Sequence, residues 1–261
     1  LNRLLQVHWP QLDVQLTLVS DHYASLAIAG PNARVLLADM SPGFECNKGD
    51  FPFASVRTGW LDEKVSCRVF SLSYSGESCF EINVPARHAH WLYQRVIELG
   101  ADYGITPYGL EALDVLRIEK GHISVGAEID GRTTPQDLGL ASMVSIHKDF
   151  VGASLLQRPV LKDTNRLQLV GLVPVDNTHD IPTAAQLVDQ EWHTGDVMNS
   201  IGRMTAVINS PTLGCSIGLA LLERGHHRAR DTLWTASPIE NRSTEVRVVD
   251  RCFYDPGGSR L

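Results

Sequence analysis

Histidine, cysteine and serine are the residue types that could carry metal or nucleophilic chemistry in this sequence, and their spacing favours neither. His88 and His90 lie two positions apart, and His226 and His227 are adjacent, so neither pair has the spacing of ligands on one helix face. The five cysteines include no Cys-x-x-Cys pair. The three serines within residues 73–78 lack the Gly-x-Ser-x-Gly turn of a hydrolase nucleophile. We therefore expect no metal site and assign no catalytic residue.

Composition excludes several classes of partner. The net charge is -7, with no run of Lys or Arg that could neutralise a row of phosphates, so nucleic acid is not expected as a partner. No stretch approaches the roughly 18 consecutive apolar residues of a membrane helix, and the start lacks a secretory signal. We expect a cytoplasmic protein with no membrane partner. No Gly-x-Gly-x-x-Gly loop occurs, so nothing in these residues predicts NAD or FAD binding.

Alternating apolar residues and helical stripes predict an α+β domain in the first part of the chain. Alternation at 65–73 and again at 79–84, around Ser75-Gly76-Glu77, predicts two strands joined by a tight turn. An apolar stripe at 89–99 predicts a helix, and a second helix should run from Pro107 to Gly121. A further strand is expected around 14–18, where Val and Leu alternate with polar residues.

Short apolar runs dominate the second part of the chain. They cover 167–173, 216–222 and 244–249, with turn residues between them. Such runs predict a small β-domain that closes into a barrel. We therefore predict an α+β domain over residues 1–163 followed by a C-terminal β-barrel over residues 164–261.

Four segments together resemble the aminomethyltransferase family, which includes the glycine cleavage T-protein and the folate modules of sarcosine and dimethylglycine oxidising enzymes. They are Ser73–Glu81, Gly109–Gly121, Asp130–Leu140 and Val249–Leu261. The third and fourth are similar to the large, or alpha, subunit of heterotetrameric sarcosine oxidases. Residues Thr134–Gly139 weigh against a dimethylglycine oxidase, which is the alternative enzyme.

The resemblance implies a folate-binding aminomethyltransferase domain truncated on its N-terminal side. Complete family members carry an earlier acidic segment with the catalytic carboxylate, which does not occur here, so we expect a fragment of a larger protein. The FAD or FMN and NAD sites of the full enzyme would lie in the missing parts. We expect the isolated chain to have little or no oxidase activity.

The resemblance also implies a function and partners. Sarcosine oxidase demethylates sarcosine to glycine, and tetrahydrofolate takes up the methylene unit as 5,10-methylenetetrahydrofolate. This module would bind the folate. The expected protein partners are the other subunits of such an oxidase, or further copies of this chain, because a truncated domain exposes apolar surface.

Two residues match the family positions that contact the pterin ring of folate. Tyr74 matches a tyrosine that borders the pterin, and Glu81 matches a glutamate that hydrogen-bonds it. Without the resemblance, Tyr74 would be interpreted as a core aromatic and Glu81 as a solvated strand end. Gly76 and Glu77 are expected to shape the turn between the strands.

Several positions depart from the family pattern. Leu113 stands where the T-protein has an arginine that could hold the glutamate tail of folate, and Ser78 replaces a glycine. Arg203 and Ala206 interrupt a stretch that usually reads Gly-His-Val-Thr-Ser. These departures leave open a non-catalytic assembly module that has lost folate. Arg117 and Glu119 are expected to form an internal ion pair.

Overall fold

A computed structural model describes all 261 residues, which divide into two compact units. The first unit comprises residues 1–73 and 77–106 together with Leu261. The second comprises residues 74–76 and 107–260. Residues 107–163 thus make most of their contacts within the second unit, and the domain boundary between residues 163 and 164 stays a prediction.

The first unit is built on a four-stranded antiparallel sheet with the strand order β1-β4-β3-β2. Its strands are β1 (Tyr23–Ala29), β2 (Ser55–Leu61), β3 (Val65–Ser71) and β4 (Cys79–Pro85). Its helices are α1 (Asn2–Val7), α2 (Ala33–Met40) and α3 (Ala89–Gly100). The predicted strands β3 and β4, their antiparallel pairing and the predicted helix α3 are therefore confirmed. The predicted tight turn was wrong, because residues 72–78 connect the two strands and residues 74–76 belong to the second unit.

The core of this unit lies between one face of the sheet and helices α2 and α3. Phe80, Ile82 and Val84 alternate along β4 and are fully buried in the same cluster as Leu37 and Leu92. Because side chains alternate between the two faces of a strand, Glu81 and Asn83 of β4 point to the opposite face. We call that opposite face of the sheet the outer face.

The strand predicted around residues 14–18 does not form. Val14, Leu16 and Leu18 lie in a segment without regular structure, and all three side chains are exposed. Alternation describes one strand only, whereas a sheet also needs a neighbour to pair the backbone groups. The prediction was therefore wrong, and the sheet begins at Tyr23.

The second unit contains a closed antiparallel barrel, which confirms the predicted β-barrel. Its strands are β5 (Leu167–Pro174), β6 (Gln186–Val188), β7 (Gly202–Ser210), β8 (Cys215–Glu223), β9 (Thr232–Ser237) and β10 (Arg242–Val249). They close in the order β10-β5-β8-β7-β6-β9 around an interior that includes Leu172, Leu187 and Leu222. The helices are α4 (Leu110–Lys120) and α5 (Pro159–Lys162). None of the five helices has the length and apolar composition needed to cross a membrane.

Helix α4 packs on the outside of the barrel. Ile118 is fully buried in one cluster with Ile217 and Leu219 of β8. The helix ends at Gly121, which has the left-handed conformation with φ 72°, as the sequence predicts. It begins three residues later than expected, at Leu110, because the preceding Gly109 is extended.

Candidate functional site

Tyr74 is held by two contacts to the segment that follows helix α4. Its hydroxyl donates to the carbonyl of Ile123 at 3.3 Å, and its ring stacks on that of His122 with centroids 5.9 Å apart and planes 19° from parallel. The side chain is 39% exposed, so it does not fill a core. One fixed aromatic ring with accessible surface can stack on a flat heterocycle.

The surroundings of His122 lower its pKa and so favour the neutral imidazole. Burial lowers its pKa, and the nearby cations Lys120 and Arg251 act in the same direction, against the raising effect of its hydrogen bond to Tyr74. Its Nδ1 lies 2.9 Å from the carbonyl oxygen of Tyr74. Since a carbonyl can only accept, Nδ1 carries the proton and Nε2 is left as an acceptor.

The turn after Tyr74 requires glycine at position 76. Gly76 has a positive φ of 84°, and a Cβ there would lie 2.9 Å from Cδ of Lys120. Any other residue would have to adopt a disfavoured backbone and displace the lysine. This agrees with the turn-forming role predicted for Gly76.

Glu81 lies in the middle of the central strand β4, on the outer face and half-buried. In the register of the sheet it stands opposite Ala27 of β1 and Phe70 of β3. It is therefore not a solvated strand end. Its charge adds to the effect of burial in raising the pKa of the neighbouring Cys79 thiol to about 11. The carboxylate is placed to accept hydrogen bonds from a ligand on the outer face.

An open cavity of about 430 Å³ lies on the same outer face. It is lined chiefly by Tyr23, Thr58, Trp60, Ser66, Arg68 and Asn83. Asn83 pairs with Arg68 across the sheet and follows Glu81 by two positions along β4. We call this space the outer-face cavity, and it adjoins the row of residues that contains Glu81.

Tyr74 and Glu81 belong to different compact units, and the contacts given for each residue are those within its own unit. Both remain predictions as folate contacts. Sequence reasoning missed His122, although it directly follows the Gly121 that was expected to end a helix. Its contact with Tyr74 joins residues 48 positions apart, and no local pattern carries that signal.

Arg117 and Glu119 are both buried on α4, but they do not pair with each other. Arg117 donates to Asp114 at 2.6 Å and to Glu128 at 3.1 Å, and its Nη1 also donates to the carbonyl of His122. Glu119 accepts from the hydroxyl of Ser210 at 2.5 Å. The structural role expected for both residues is confirmed, with different partners from those predicted.

Glu128 is a second residue that the sequence did not single out. It is fully buried, and its Oε2 accepts from Arg117 and from the backbone N–H of Ser124. Its Oε1 has no hydrogen-bond partner. A buried carboxylate oxygen without a donor is costly, so Arg117 must remain in place to hold this charge.

The departures from the family pattern fall at distinct places. Leu113 lies on α4 and is half-buried, whereas Arg203 and Ala206 lie on barrel strand β7. Arg203 makes one long ion pair, 3.8 Å from Asp130. Ser78 precedes β4, and its carbonyl accepts from the N–H of Gly30 at 2.9 Å. Ala206 borders a register shift in the pairing of β7 with β8, and the other three leave the strands and helices regular.

An antiparallel sheet covered by two helices and a six-stranded barrel are the main parts of the fold, and two known domain families match most of the chain. The GCVT N-terminal domain matches residues 1–148, and the glycine cleavage T-protein C-terminal barrel domain matches residues 168–255. The chain belongs to the glycine cleavage T-protein family. A crystal structure of the glycine cleavage system aminomethyltransferase T from Bartonella henselae covers 90% of this chain at a TM-score of 0.73 and 25% identity.

Within this family the chain is similar to the alpha subunit of sarcosine oxidase. It is 37% identical over all 261 residues to that subunit from Corynebacterium sp. (strain U-96), and 38% identical over 258 residues to that from Rhizobium meliloti (strain 1021). The aminomethyltransferase of Caldanaerobacter subterraneus subsp. tengcongensis is 32% identical over 247 residues.

The chain covers only part of these relatives. It spans 27% of the Corynebacterium sarcosine oxidase subunit and 61% of the Caldanaerobacter aminomethyltransferase. It likewise covers 60% of the Bartonella chain. The similarity therefore concerns one module of the larger relatives.

Proposed function

We propose that this chain is the tetrahydrofolate-binding, one-carbon transfer module of a heterotetrameric sarcosine oxidase. The similarity over the whole chain to sarcosine oxidase subunit alpha carries the proposal. Similarity to aminomethyltransferases supports the folate part. In such an enzyme, a flavin in another part of the protein would oxidise sarcosine by two electrons, and bound tetrahydrofolate would accept the resulting methylene group to give 5,10-methylenetetrahydrofolate and release glycine.

Tyr74 and Glu81, each taken within its own unit, have side chains suited to a pterin ligand. Tyr74 offers an aromatic face that His122 holds in one orientation. Glu81 offers a carboxylate on the outer face, and a carboxylate accepts hydrogen bonds from an amino group and an adjacent ring N–H together. Their task is to bind and orient the pterin, and neither is assigned a proton transfer.

Anaerobic calorimetric titration of tetrahydrofolate into this chain tests the proposal, beside the variant Glu81→Gln. Hydrogen bonds to a charged group contribute about 1.5–3 kcal/mol, so the variant should bind at least about tenfold more weakly. Glu223→Gln, at the exposed end of β8, removes the same charge from the barrel and should bind like the wild type.

Two results would contradict the proposal. Equal affinity of wild type and Glu81→Gln would remove Glu81 from the site. No binding to a folded chain would favour the alternative of an assembly module without folate. Leu113 has no positive charge where the T-protein has an arginine, and this difference supports the alternative of an assembly module.

A further inference from the structure

Arg203 on barrel strand β7 is a departure from the family pattern that the proposed function does not use. Its side chain is 31% exposed, and its guanidinium takes part in no hydrogen bond of the chain. Its ion pair with Asp130, at 3.8 Å, is too long for a hydrogen bond. Arg203 is therefore a half-buried cation whose N–H groups are available to a ligand.

This arginine lines a cavity of about 160 Å³ within the second unit. The floor of the cavity is apolar, because Leu167 and Leu221 belong to the same cluster as Ile118 of α4 on the outside of the barrel. We call this space the arginine cavity. Its remaining lining residues are Asp130, Arg132, Thr133 and Arg166.

Arg166 is held firmly in the wall of the arginine cavity. Strand β8 pairs with β5 on one side and with β7 on the other, so Arg166, which precedes β5, and Arg203 lie on either side of β8. Arg166 donates from Nε and Nη2 to the buried Asp137, at 3.0 and 2.6 Å, and from Nη2 to the carbonyl of Arg132. These bonds leave its Nη1 for a ligand.

The arginine cavity is locally positive although the whole chain carries a net charge of -7. Three arginines line it, whereas only Asp130 in its wall and Asp137 behind Arg166 carry negative charge. Asp130 is already bound by Arg132, whose Nε donates to it at 2.9 Å. One positive charge is thus left over, and a ligand with one negative charge would neutralise it.

We infer that the arginine cavity binds a small aliphatic monocarboxylate. The carboxylate would lie on the guanidinium of Arg203, since a planar guanidinium binds a carboxylate by two parallel hydrogen bonds. The alkyl group would cover Leu167 and Leu221, which a phosphate or sulfate ion cannot do. Drug-sized ligands occupy about 300–1,000 Å³, so this smaller cavity limits the ligand to a few heavy atoms. The inference does not depend on folate binding.

Titration of propionate into this chain, followed by ligand-observed NMR at constant ionic strength, tests the inference, because salt screens a partly exposed arginine. Arg203→Gln should weaken propionate binding at least about tenfold. Arg203→Lys keeps the charge but not the planar fork, so its affinity should lie between those of wild type and Arg203→Gln. Arg203→His introduces the histidine usual in related subunits and should bind as weakly as Arg203→Gln at about pH 8, where histidine is neutral.

Arg247→Gln, at an exposed position of β10, is the matched control and should bind propionate like the wild type. Inorganic phosphate and N-acetyl-L-glutamic acid α-amide are the comparison probes. The second presents a glutamate side chain as a partner protein would. Both should bind more weakly than propionate, because phosphate lacks an alkyl group and the peptide groups of the amide exceed the space in the cavity.

Four results would overturn the inference. The first two are no propionate binding to the wild type and equal affinity of a folded Arg203→Gln chain. An equal loss in Arg247→Gln would assign the effect to net charge. Binding of either comparison probe as tightly as propionate would indicate a general oxyanion site or a protein partner. Failure of tetrahydrofolate to bind would contradict the proposed function and leave the expected propionate affinities unchanged.

Discussion

The contact between Tyr74 and His122 is the feature at the scale of single residues that most affects the candidate site. A tyrosine near a turn would otherwise rotate among several conformations, and ordering it on binding would cost free energy. The stacked imidazole and the hydrogen bond to Ile123 restrict it before a ligand arrives. His122 is thus a positioning residue for Tyr74 in the proposed function.

Replacing His122 should weaken folate binding without abolishing it. An aromatic pair contributes about 0.5–1.5 kcal/mol beyond burial, so His122→Leu should raise the Kd for tetrahydrofolate about threefold to tenfold. His122→Phe keeps a ring and should bind more tightly than His122→Leu. His147→Leu, at an exposed position, serves as the control in the same calorimetric assay. Wild-type affinity in a folded His122→Leu chain would show that the stack does not position Tyr74.

Helix α4 is the element that joins the Tyr74–His122 contact to the barrel. Its buried Ile118 packs against β8, and Glu119 accepts hydrogen bonds from Ser210 at the end of β7 and from Thr212 just after it. The helix ends at Gly121, and the chain turns there so that the next residue, His122, can contact Tyr74. At this point a Cβ on residue 121 would lie 2.3 Å from the carbonyl oxygen of Arg251.

Substitution of Gly121 should therefore destabilise the second unit strongly. Gly121→Ala combines the cost of a left-handed alanine, about 1–2 kcal/mol, with a backbone clash of about 1–3 kcal/mol. Gly214→Ala has nearly the same φ but open space around it, so it should cost only the first amount. Urea unfolding of both variants measures the difference. Equal free energies of unfolding would mean that the chain near Arg251 moves freely to make room.

At the scale of the whole molecule, two histidines link stability to pH, the half-buried His122 and the more exposed His226. Burial lowers the pKa of His122 and of His226 below the ordinary value of about 6.5. The unfolded chain therefore binds more protons than the folded chain just below pH 6.5. The stability that these residues contribute is complete above this pH and is lost as the pH falls through it.

We expect the free energy of unfolding to decrease between pH 7.5 and 5.5. His122 can contribute at most about 1.4 kcal/mol per pH unit below 6.5, and the exposed His226 contributes less because solvent screens its charge. Urea unfolding across this range should show a smaller decrease in the double variant His122→Leu, His226→Leu. His147→Leu should keep the wild-type dependence. An unchanged slope in the double variant would assign the pH effect to other groups.

A second decrease is expected below about pH 4, the ordinary range of an unfolded aspartate. Burial alone would raise the pKa of Asp137, but hydrogen bonds from Arg166 and Thr134 outweigh it and lower that pKa. Hydrogen bonds from Ser259 and from Lys120 likewise outweigh burial and lower the pKa of Asp255. Protonating these carboxylates weakens their hydrogen bonds and ion pairs. The free energy of unfolding should therefore decrease in two separate pH ranges, one below about pH 6.5 and one below about pH 4.

The sequence by itself determined the elements whose patterns are local. Strands β3 and β4, helix α3, the end of α4 at Gly121 and the three longest apolar runs of the barrel all follow from periodicity and glycine placement. When one face of a strand or helix is buried, apolar residues recur along the sequence with a period of 2 or 3.6 residues. This period is visible without knowing which element packs against that face. Recognition of the four family segments added Tyr74 and Glu81.

Only the tertiary structure decided which distant residues meet. The exposed segment around Val14, the short strand β6 and the partners of Arg117 were not predictable, because pairing depends on the neighbour and not on the strand itself. The stack of His122 on Tyr74 and the placement of Arg166 and Arg203 on either side of β8 depend on contacts between distant segments. Strand register is set by the packing of the whole sheet, and so the proposed carboxylate site emerges only in the folded chain.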